Sequence, residues 1–271
     1  MTELGPKHTF SHPLLMLAID RHRWLLDELN ERGSLRTSEI AERAGVAEET
    51  IRRDFEKLES EGMLLRTHGG AVRLEADRRE FPAGERALQH AAEKQAIARA
   101  SARRLRAGQT VYFDASTTVL ELVRVMPDIP LTVVTNSIEN ALALSEKRDV
   151  SCVLLGGTMH PSSLSCTGWA AEKSLEIYHL DAAFLSCRGI DADRGFSDAT
   201  EGQAQLKHSV VERAAQVFLL ADTSKSGVIS SYFFAGGADI DVWIAETPPP
   251  VQLASALVSQ GLRIECAKGE D

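Results

Sequence analysis

The stretch Gly45-Val46-Ala47-Glu48-Glu49-Thr50-Ile51-Arg52-Arg53-Asp54-Phe55-Glu56-Lys57-Leu58 decides how this chain is read. Ile51, Phe55 and Leu58 fall at i, i+4 and i+7, the apolar stripe of an amphipathic helix. Glu49, Arg53 and Lys57 point away from that stripe, with Thr50 and Arg52 on its flanks. Working outward, Arg23–Arg32 carries Trp24, Leu25, Leu26 and Leu29 at helical spacing and is expected to stop at Gly33. Thr37 is expected to cap a second helix holding Glu39, Ile40, Ala41 and Ala44, and Gly45 to make a tight turn into the third, which ends at Gly62. Leu64 to Ala71 then reads as a wing tipped by Gly69-Gly70. A short helix, a tight turn and a helix with an arginine-bearing outer face form the geometry that enters a DNA major groove. Arg52 and Arg53 are the candidates for base or phosphate contact, Thr50 for a base edge or phosphate, and Arg66 with His68 for wing contacts to the backbone. Arg36, Glu49 and Lys57 complete the candidate DNA face. Asp54, which DNA would repel, is expected to orient the arginines.

Charge gives this reading weaker support. The chain has 271 residues with 30 Lys and Arg against 39 Asp and Glu, a net charge of −9. Residues 1–80 alone hold 13 basic against 16 acidic side chains, so any DNA footprint must be concentrated locally. Arg36, Arg43, Arg52, Arg53, Lys57, Arg66 and Arg73 are the residues that can supply it. The bland alternative is a solvated helix face whose arginines pair with neighbouring glutamates and Asp54. Weak binding outside a specific site follows from the acidity, because non-specific affinity is mainly phosphate neutralisation. Three Trp and three Tyr are too few for base-stacking platforms, and no apolar run reaches membrane-spanning length. Cys152, Cys166, Cys187 and Cys266 form no CxxC pair, and the N-terminus lacks an export signal, so a cytoplasmic protein with no metal and no cofactor is expected.

The length suits two domains: residues 1–74 as a DNA-binding unit, 75–84 as a polar linker with Pro82 and Gly84, and 85–271 as a larger unit. A long helix is expected from Glu85 to about Arg106. Strands are expected at Thr110–Phe113, Leu131–Thr135, Val153–Leu155, Ala182–Leu185, Val217–Ala221, Val242–Ala245 and Leu262–Cys266, with helical patterns such as Val119–Val125, Ile138–Leu144 and Gln203–Ala214 between them. Continuous apolar strands alternating with helices indicate an open, mainly parallel α/β sheet. Ligands of such sheets sit beyond the carboxyl ends of the strands. There stand Asp114, Ser116, Thr117 and Thr118, whose hydroxyls and helix-start amides suit a phosphate, then Asn136 and the pair Gly156-Gly157. Arg188, Asp198, Glu201, Lys207, Asp222 and Lys225 add charges able to hold sugar hydroxyls and phosphate. Taken singly, the hydroxyl and glycine residues read equally well as helix caps or turns, and each charged residue reads better as a surface ion pair. No GxGxxG opens a helix after a strand, so no dinucleotide is implied.

Two sets of motifs resemble the DeoR family of bacterial transcriptional regulators. The N-terminal set is Glu39-Ile40-Ala41, Val46, Thr50-Ile51-Arg52-Arg53-Asp54, Leu58 and His68-Gly69-Gly70-Ala71; Ala47 stands where the family usually has serine, and Phe55 where it has leucine. The second set runs from Glu93-Lys94 to Gly227 and includes Asp114–Thr118, Thr135-Asn136, Gly156-Gly157, Gly189-Ile190-Asp191, Lys207 and Asp222–Lys225. Ala115 replaces a usual glycine, and Met159-His160-Pro161 a usual basic residue. The resemblance implies a winged helix-turn-helix domain joined to a sensor domain similar in fold to ribose-5-phosphate isomerases. It also implies double-stranded operator DNA and a phosphorylated sugar as partners, a repressor of sugar catabolism as the role, and a homodimer or homotetramer as the assembly.

Two other readings stay open. Asp114, Glu201, Lys207, Asp222 and Lys225 could instead form an acid/base set in a sugar-phosphate isomerase-like enzyme with an accessory DNA-binding domain. A constitutive architectural DNA protein would answer to no small molecule.

Overall fold

The computed structural model describes residues 18–32, 34–60, 63–67, 69–73 and 82–267. The chain divides into two compact units, Met1–Ala76 and Asp77–Asp271. Gly33, Gly62 and His68, expected as two helix stops and a wing contact, lie outside the described residues, as does most of the expected linker.

In the first unit, helix α1 (Ala18–Arg32) precedes strand β1 (Ser34–Arg36), then come α2 (Thr37–Ala44), α3 (Glu48–Ser60) and the hairpin β2 (Leu64–Thr67) and β3 (Gly70–Arg73). The strands pair in the order β1-β3-β2, so β1, which the sequence did not betray, extends the wing into a small antiparallel sheet. Gly70 is required there, because a Cβ would lie 1.9 Å from the Leu35 carbonyl oxygen. Gly45 caps α2 at φ 65°, a left-handed conformation that suits glycine and turns the chain into α3. Thr37 is no cap: Arg36 occupies that position, and the Thr37 N–H donates to Gly69 O at 2.9 Å, tying α2 to the wing. Leu25, Leu29, Leu35, Ile40, Ile51, Phe55, Leu58 and Leu64 form one core.

Asp54 has a different task from the one its sequence neighbours suggest. It is buried and accepts from Arg21 Nε at 2.5 Å, Arg21 Nη2 at 3.0 Å and His22 Nε2 at 2.9 Å, so it locks α1 to α3 and leaves Arg52 and Arg53 alone. Burial alone would raise its pKa, but the Arg21 and His22 bonds outweigh it and hold the carboxyl below the usual range. The contribution to stability is therefore complete above the ordinary aspartate pKa and is lost as pH falls through the lowered one.

The second unit begins with α4 (Ala83–Leu88) and α5 (Ala91–Ala102), followed by β4 (Thr110–Phe113), α6 (Thr117–Val125), β5 (Leu131–Thr135), α7 (Ile138–Leu144) and β6 (Val150–Leu154). A hairpin of β7 (Thr158–His160) and β8 (Ser165–Thr167) leads to α8 (Trp169–Leu175), β9 (Ala182–Leu185), β10 (Gly189–Asp191) and β11 (Gly195–Asp198). Then come α9 (Glu201–Val211), β12 (Val217–Leu220), β13 (Tyr232–Ala235), β14 (Val242–Ala245), α10 (Val251–Ser259) and β15 (Arg263–Cys266). Seven strands form one sheet, β15-β14-β12-β9-β4-β5-β6, and every pairing in it is parallel. Alternate residues of each central strand enter two cores: Tyr112, Ala183, Leu219 and Trp243 meet α8–α10, while Phe113, Phe184, Phe218 and Ile244 meet α5–α7. The result is three layers, with a ring ladder from Phe113 through Phe184 to Phe218 at 5.5 and 4.9 Å.

Two expectations change here. The long helix from Glu85 is two helices, broken at Gln89 and at His90, whose φ of 53° is left-handed, and Gly84 lies inside α4. Strands β10, β11 and β13 form a separate antiparallel sheet that sequence patterning did not reveal.

Asp54→Asn is expected to destabilise the first unit by about 3 kcal/mol, because Arg21 is left without its carboxylate in a buried setting. Calorimetry of the full chain would show a lower first transition, and an unchanged one would refute the lock.

Candidate functional site

Most of the described candidates for DNA contact are exposed on the first unit. On α3, the Arg53 and Arg52 side chains are 76% and 54% exposed and Lys57 is exposed, while Thr50 is half-buried at the edge. Arg36 and Arg66 are exposed on β1 and β2. Glutamates screen several of these cations. Arg52 meets Glu48 at 2.8 Å and Glu49 at 3.7 Å, Arg53 meets Glu49 at 3.4 Å, and Arg66 meets Glu56 at 2.8 Å. Exposed pairs of this kind are worth about 0–1 kcal/mol, so a phosphate or base edge can displace them at little cost. Glu49 thus sits on the face as a partner of arginines. Arg43 faces away, paired with Glu28 and stacked 5.3 Å over the Trp24 ring.

In the second unit, β5 and β6 extend the sheet from one side of β4, and β9, β12, β14 and β15 from the other. The order therefore reverses between β4 and β9, and a crevice opens beyond the carboxyl ends of such a pair. Two residues close its floor. Asp114, after β4, accepts from Ser116 N at 3.0 Å and Ser186 N at 2.8 Å, and Lys207 Nζ lies 3.0 Å from its Oδ2. Lys207, reaching from α9, also donates to Asp198 Oδ2 at 2.6 Å and to Ser186 O at 2.7 Å. Burial alone would lower the Lys207 pKa, but Asp114 and Asp198 outweigh it and hold the ammonium protonated well above the ordinary lysine range.

Above this floor lies a cleft open to solvent. Ser116, Thr117 and Thr118 form one wall at the start of α6, where Ser116 Oγ accepts from Val119 N at 3.1 Å. First-turn helix amides have no intrahelical acceptor and favour anions. Arg188, Lys207 and Lys225 line the cleft as expected, and Asp198 is the one carboxylate among its lining residues. Other expected residues lie elsewhere. Asp114 is under the floor with both oxygens engaged. Asn136 is buried, accepting from Tyr112 Oη at 2.9 Å and donating to Cys166 O and Gln203 Oε1. Gly157 (φ 124°) admits the Thr167 carbonyl, which a Cβ would meet at 2.5 Å, so the glycine pair serves the β7–β8 hairpin. Glu201 is exposed and bonded to Gln205, and Asp222 is buried, capping Ser224.

Sequence reasoning missed Arg86, Gln89 and Lys94 from the α4–α5 break, together with Ser163, Ser186 and Gln203. Lys94 left a readable signal: it stands three residues from Ala91 and Ile97, on the apolar stripe of α5. Its Nζ donates to Gln89 O at 2.6 Å and to Arg86 O. Burial and the neighbouring charges of Lys225 and Arg86 push its pKa down to about 8, against the pull of Asp222 and Glu121. Cys187 in the wall is raised by burial and stays a neutral thiol, which leaves it a poor nucleophile.

Comparison with known proteins gives the family of both units. A family model of the DeoR-like helix-turn-helix domain matches residues 21–77, and one of the DeoR C terminal sensor domain matches residues 89–247. The chain belongs to the DeoR family of transcriptional regulators. It is 44% identical over 212 residues to the uncharacterized HTH-type transcriptional regulator YulB of Bacillus subtilis, covering 78% of this chain and 82% of that protein. It is 33% identical over 250 residues to the HTH-type transcriptional regulator GlpR of Haloferax volcanii, covering 92% and 98%. Among solved structures, ribose 5-phosphate isomerase A of Methanocaldococcus jannaschii aligns with a TM-score of 0.39 at 14% identity, over 51% of this chain and 55% of that one. Among the described residues, no helix is long and apolar enough to cross a membrane.

An anion bound in the cleft would stabilise protonated Lys94 and raise its pKa. Phosphate affinity is therefore expected to be full only where the phosphate is doubly ionised, above roughly pH 6, and to fall as pH rises through about 8. Calorimetric titration at about pH 9 in buffers of differing ionisation enthalpy should record proton uptake approaching one per anion. Zero uptake would take Lys94 out of the site.

Proposed function

We propose that this regulator represses a sugar-catabolic operon by binding operator DNA through α3 and the wing, and that a phosphorylated sugar in the cleft alters that binding. The observation that carries the reading is the charge of the cleft: Arg86, Lys94, Arg188, Lys207 and Lys225 line it with the first turn of α6, against one carboxylate already tied to Lys207. Such a site takes a dianion, while Ser163, Gln203 and Asp198 offer partners for hydroxyl groups. The name of one relative supports a link to a small phosphorylated metabolite. A 28% identical protein of Escherichia coli is the glycerol-3-phosphate regulon repressor. The expected effector contacts are Ser116, Thr117, Thr118, Arg188, Asp198, Lys207 and Lys225, with Asp114 and Asp222 supporting them from below.

Effector and operator are linked by differential affinity: the sugar phosphate shifts the regulator toward the arrangement it binds better, and a coupling of about 1–3 kcal/mol changes operator affinity roughly 5- to 150-fold. A cytoplasmic homodimer or homotetramer is part of the proposal, because one winged module reads few bases and symmetric half-sites multiply them. The residue boundaries proposed for its domains are 1–74 and 85–271, joined by 75–84.

The test is a thermal-shift screen against aldose and ketose phosphates, followed by operator gel shifts with the best stabiliser. Arg53→Ala should weaken operator binding by at least about 10-fold, as loss of one good contact does, and leave effector stabilisation intact. Lys225→Ala should bind operator normally and weaken the effector about 10-fold, the value of one charge-assisted hydrogen bond. Turnover of any sugar phosphate in the panel would replace this reading with the isomerase-like enzyme. A wild type stabilised by none of the compounds would leave a regulator without this ligand class.

A further inference from the structure

The break between α4 and α5 places three residues of the cleft wall, Arg86, Gln89 and Lys94, on the first described segment after the DNA-binding unit. Helix α4 has little of its own to hold it. It is six residues long, too short to be stable alone, and Ala83 is its one buried residue. Leu88 is 82% exposed. Besides its packing on α6, polar contacts fix α4 to the sensor unit: Ala83 N donates to Ser162 O at 2.8 Å, and Lys94 Nζ holds the carbonyls of Arg86 and Gln89, the open C-terminal end of α4. Those two bonds use two of the three ammonium hydrogens, and the residue lines the cleft.

Like charges oppose the arrangement. Arg86 and Lys225 both act against the charge on Lys94, whose burial already disfavours it. A dianion placed among the three would reverse the balance, turning mutual repulsion into shared attraction and bonding Arg86 and Lys94 from the cleft side. A segment with few buried contacts has a low opening free energy, so its order is what a ligand can change most.

We propose that a phosphate anion in the cleft locks the α4–α5 elbow through Arg86, Gln89 and Lys94, and that this ordering of the segment following the join is how occupancy reaches the DNA-binding unit. The inference rests on the anion-binding reading of the cleft and adds the element that transmits it. Lys94 is both ligand and latch: it receives the anion with one hydrogen and fastens the end of α4 with the others.

Hydrogen–deuterium exchange on the full chain, with inorganic phosphate added at constant ionic strength, tests this. Amides of residues 83–94 are expected to slow at least 10-fold while those of β4 and β9 keep their rates, and operator affinity in the same samples to change at least 5-fold. Arg86→Gln and Lys94→Met should each lose the selective slowing and the phosphate-dependent change at the operator. If Lys94→Met does not fold, Arg86→Gln decides, since it keeps the carbonyl that Lys94 uses. Phosphate that raises the thermal midpoint but leaves residues 83–94 unslowed would overturn the elbow and spare the cleft. So would slowing without any effect on operator affinity. No midpoint shift by phosphate or by any sugar phosphate would remove the cleft reading and this inference together.

Discussion

One buried ammonium organises the sensor unit. Lys207 crosses from α9 to the point where the sheet order reverses, and there it holds Asp114 from the end of β4, Asp198 from the end of β11 and the Ser186 carbonyl from the end of β9. Strand ends that diverge at a switch point have no reason to stay in register beyond the last ladder bond. The triad supplies one, and its cost is also its guarantee of specificity: a charge so deeply buried is tolerable only with all its hydrogens placed. Because Asp114 also receives the Ser116 and Ser186 amides, the same interaction sets the start of α6 and the cleft wall opposite it. The floor is thus fixed by its own bonds, and the groups above it supply the rest of the cleft lining.

Those groups are of a different kind. Arg188, Lys225, Arg86 and Lys94 stand outside the triad, and the Lys94 pKa of about 8 records chiefly its burial, with Lys225 and Arg86 adding to it against the pull of Asp222 and Glu121. A floor closed by its own ion pairs beneath a rim of further cations suits an anion, whose charge would favour protonated Lys94.

The DNA-binding unit divides its charges similarly. Asp54 and Arg21 are spent on holding α1 against α3, which fixes the angle at which α3 is presented. Arg52 and Arg53 stay on the surface with glutamates that are weak partners and easily exchanged. An acidic unit can then still bind DNA, but with a screened, localised footprint that favours contacts in a defined register over indiscriminate phosphate attraction.

The amino-acid sequence by itself determined the elements that depend on local periodicity. The apolar stripe of α3, the left-handed Gly45 and the unbroken apolar strands at Thr110–Phe113, Ala182–Leu185 and Val242–Ala245 were all legible, because burial on one face or two writes itself into spacing. The family resemblance was legible from motifs such as Thr50-Ile51-Arg52-Arg53-Asp54 and His68-Gly69-Gly70-Ala71. Tertiary structure alone decided which polar residues share a space. Asp114, Asn136, Gly157 and Asp222 stand at strand ends in the sequence exactly as Ser116 and Lys225 do, yet the first four are absorbed into caps, a hairpin contact and buried bonds. Arg86 and Gln89 enter the cleft from a helix break that no pattern marked, and Asp54 ignores its adjacent arginines for one 33 residues away. Hydrogen bonds and ion pairs are made across space between groups whose sequence separation carries no periodic signal, so their partners follow from packing and from nothing earlier.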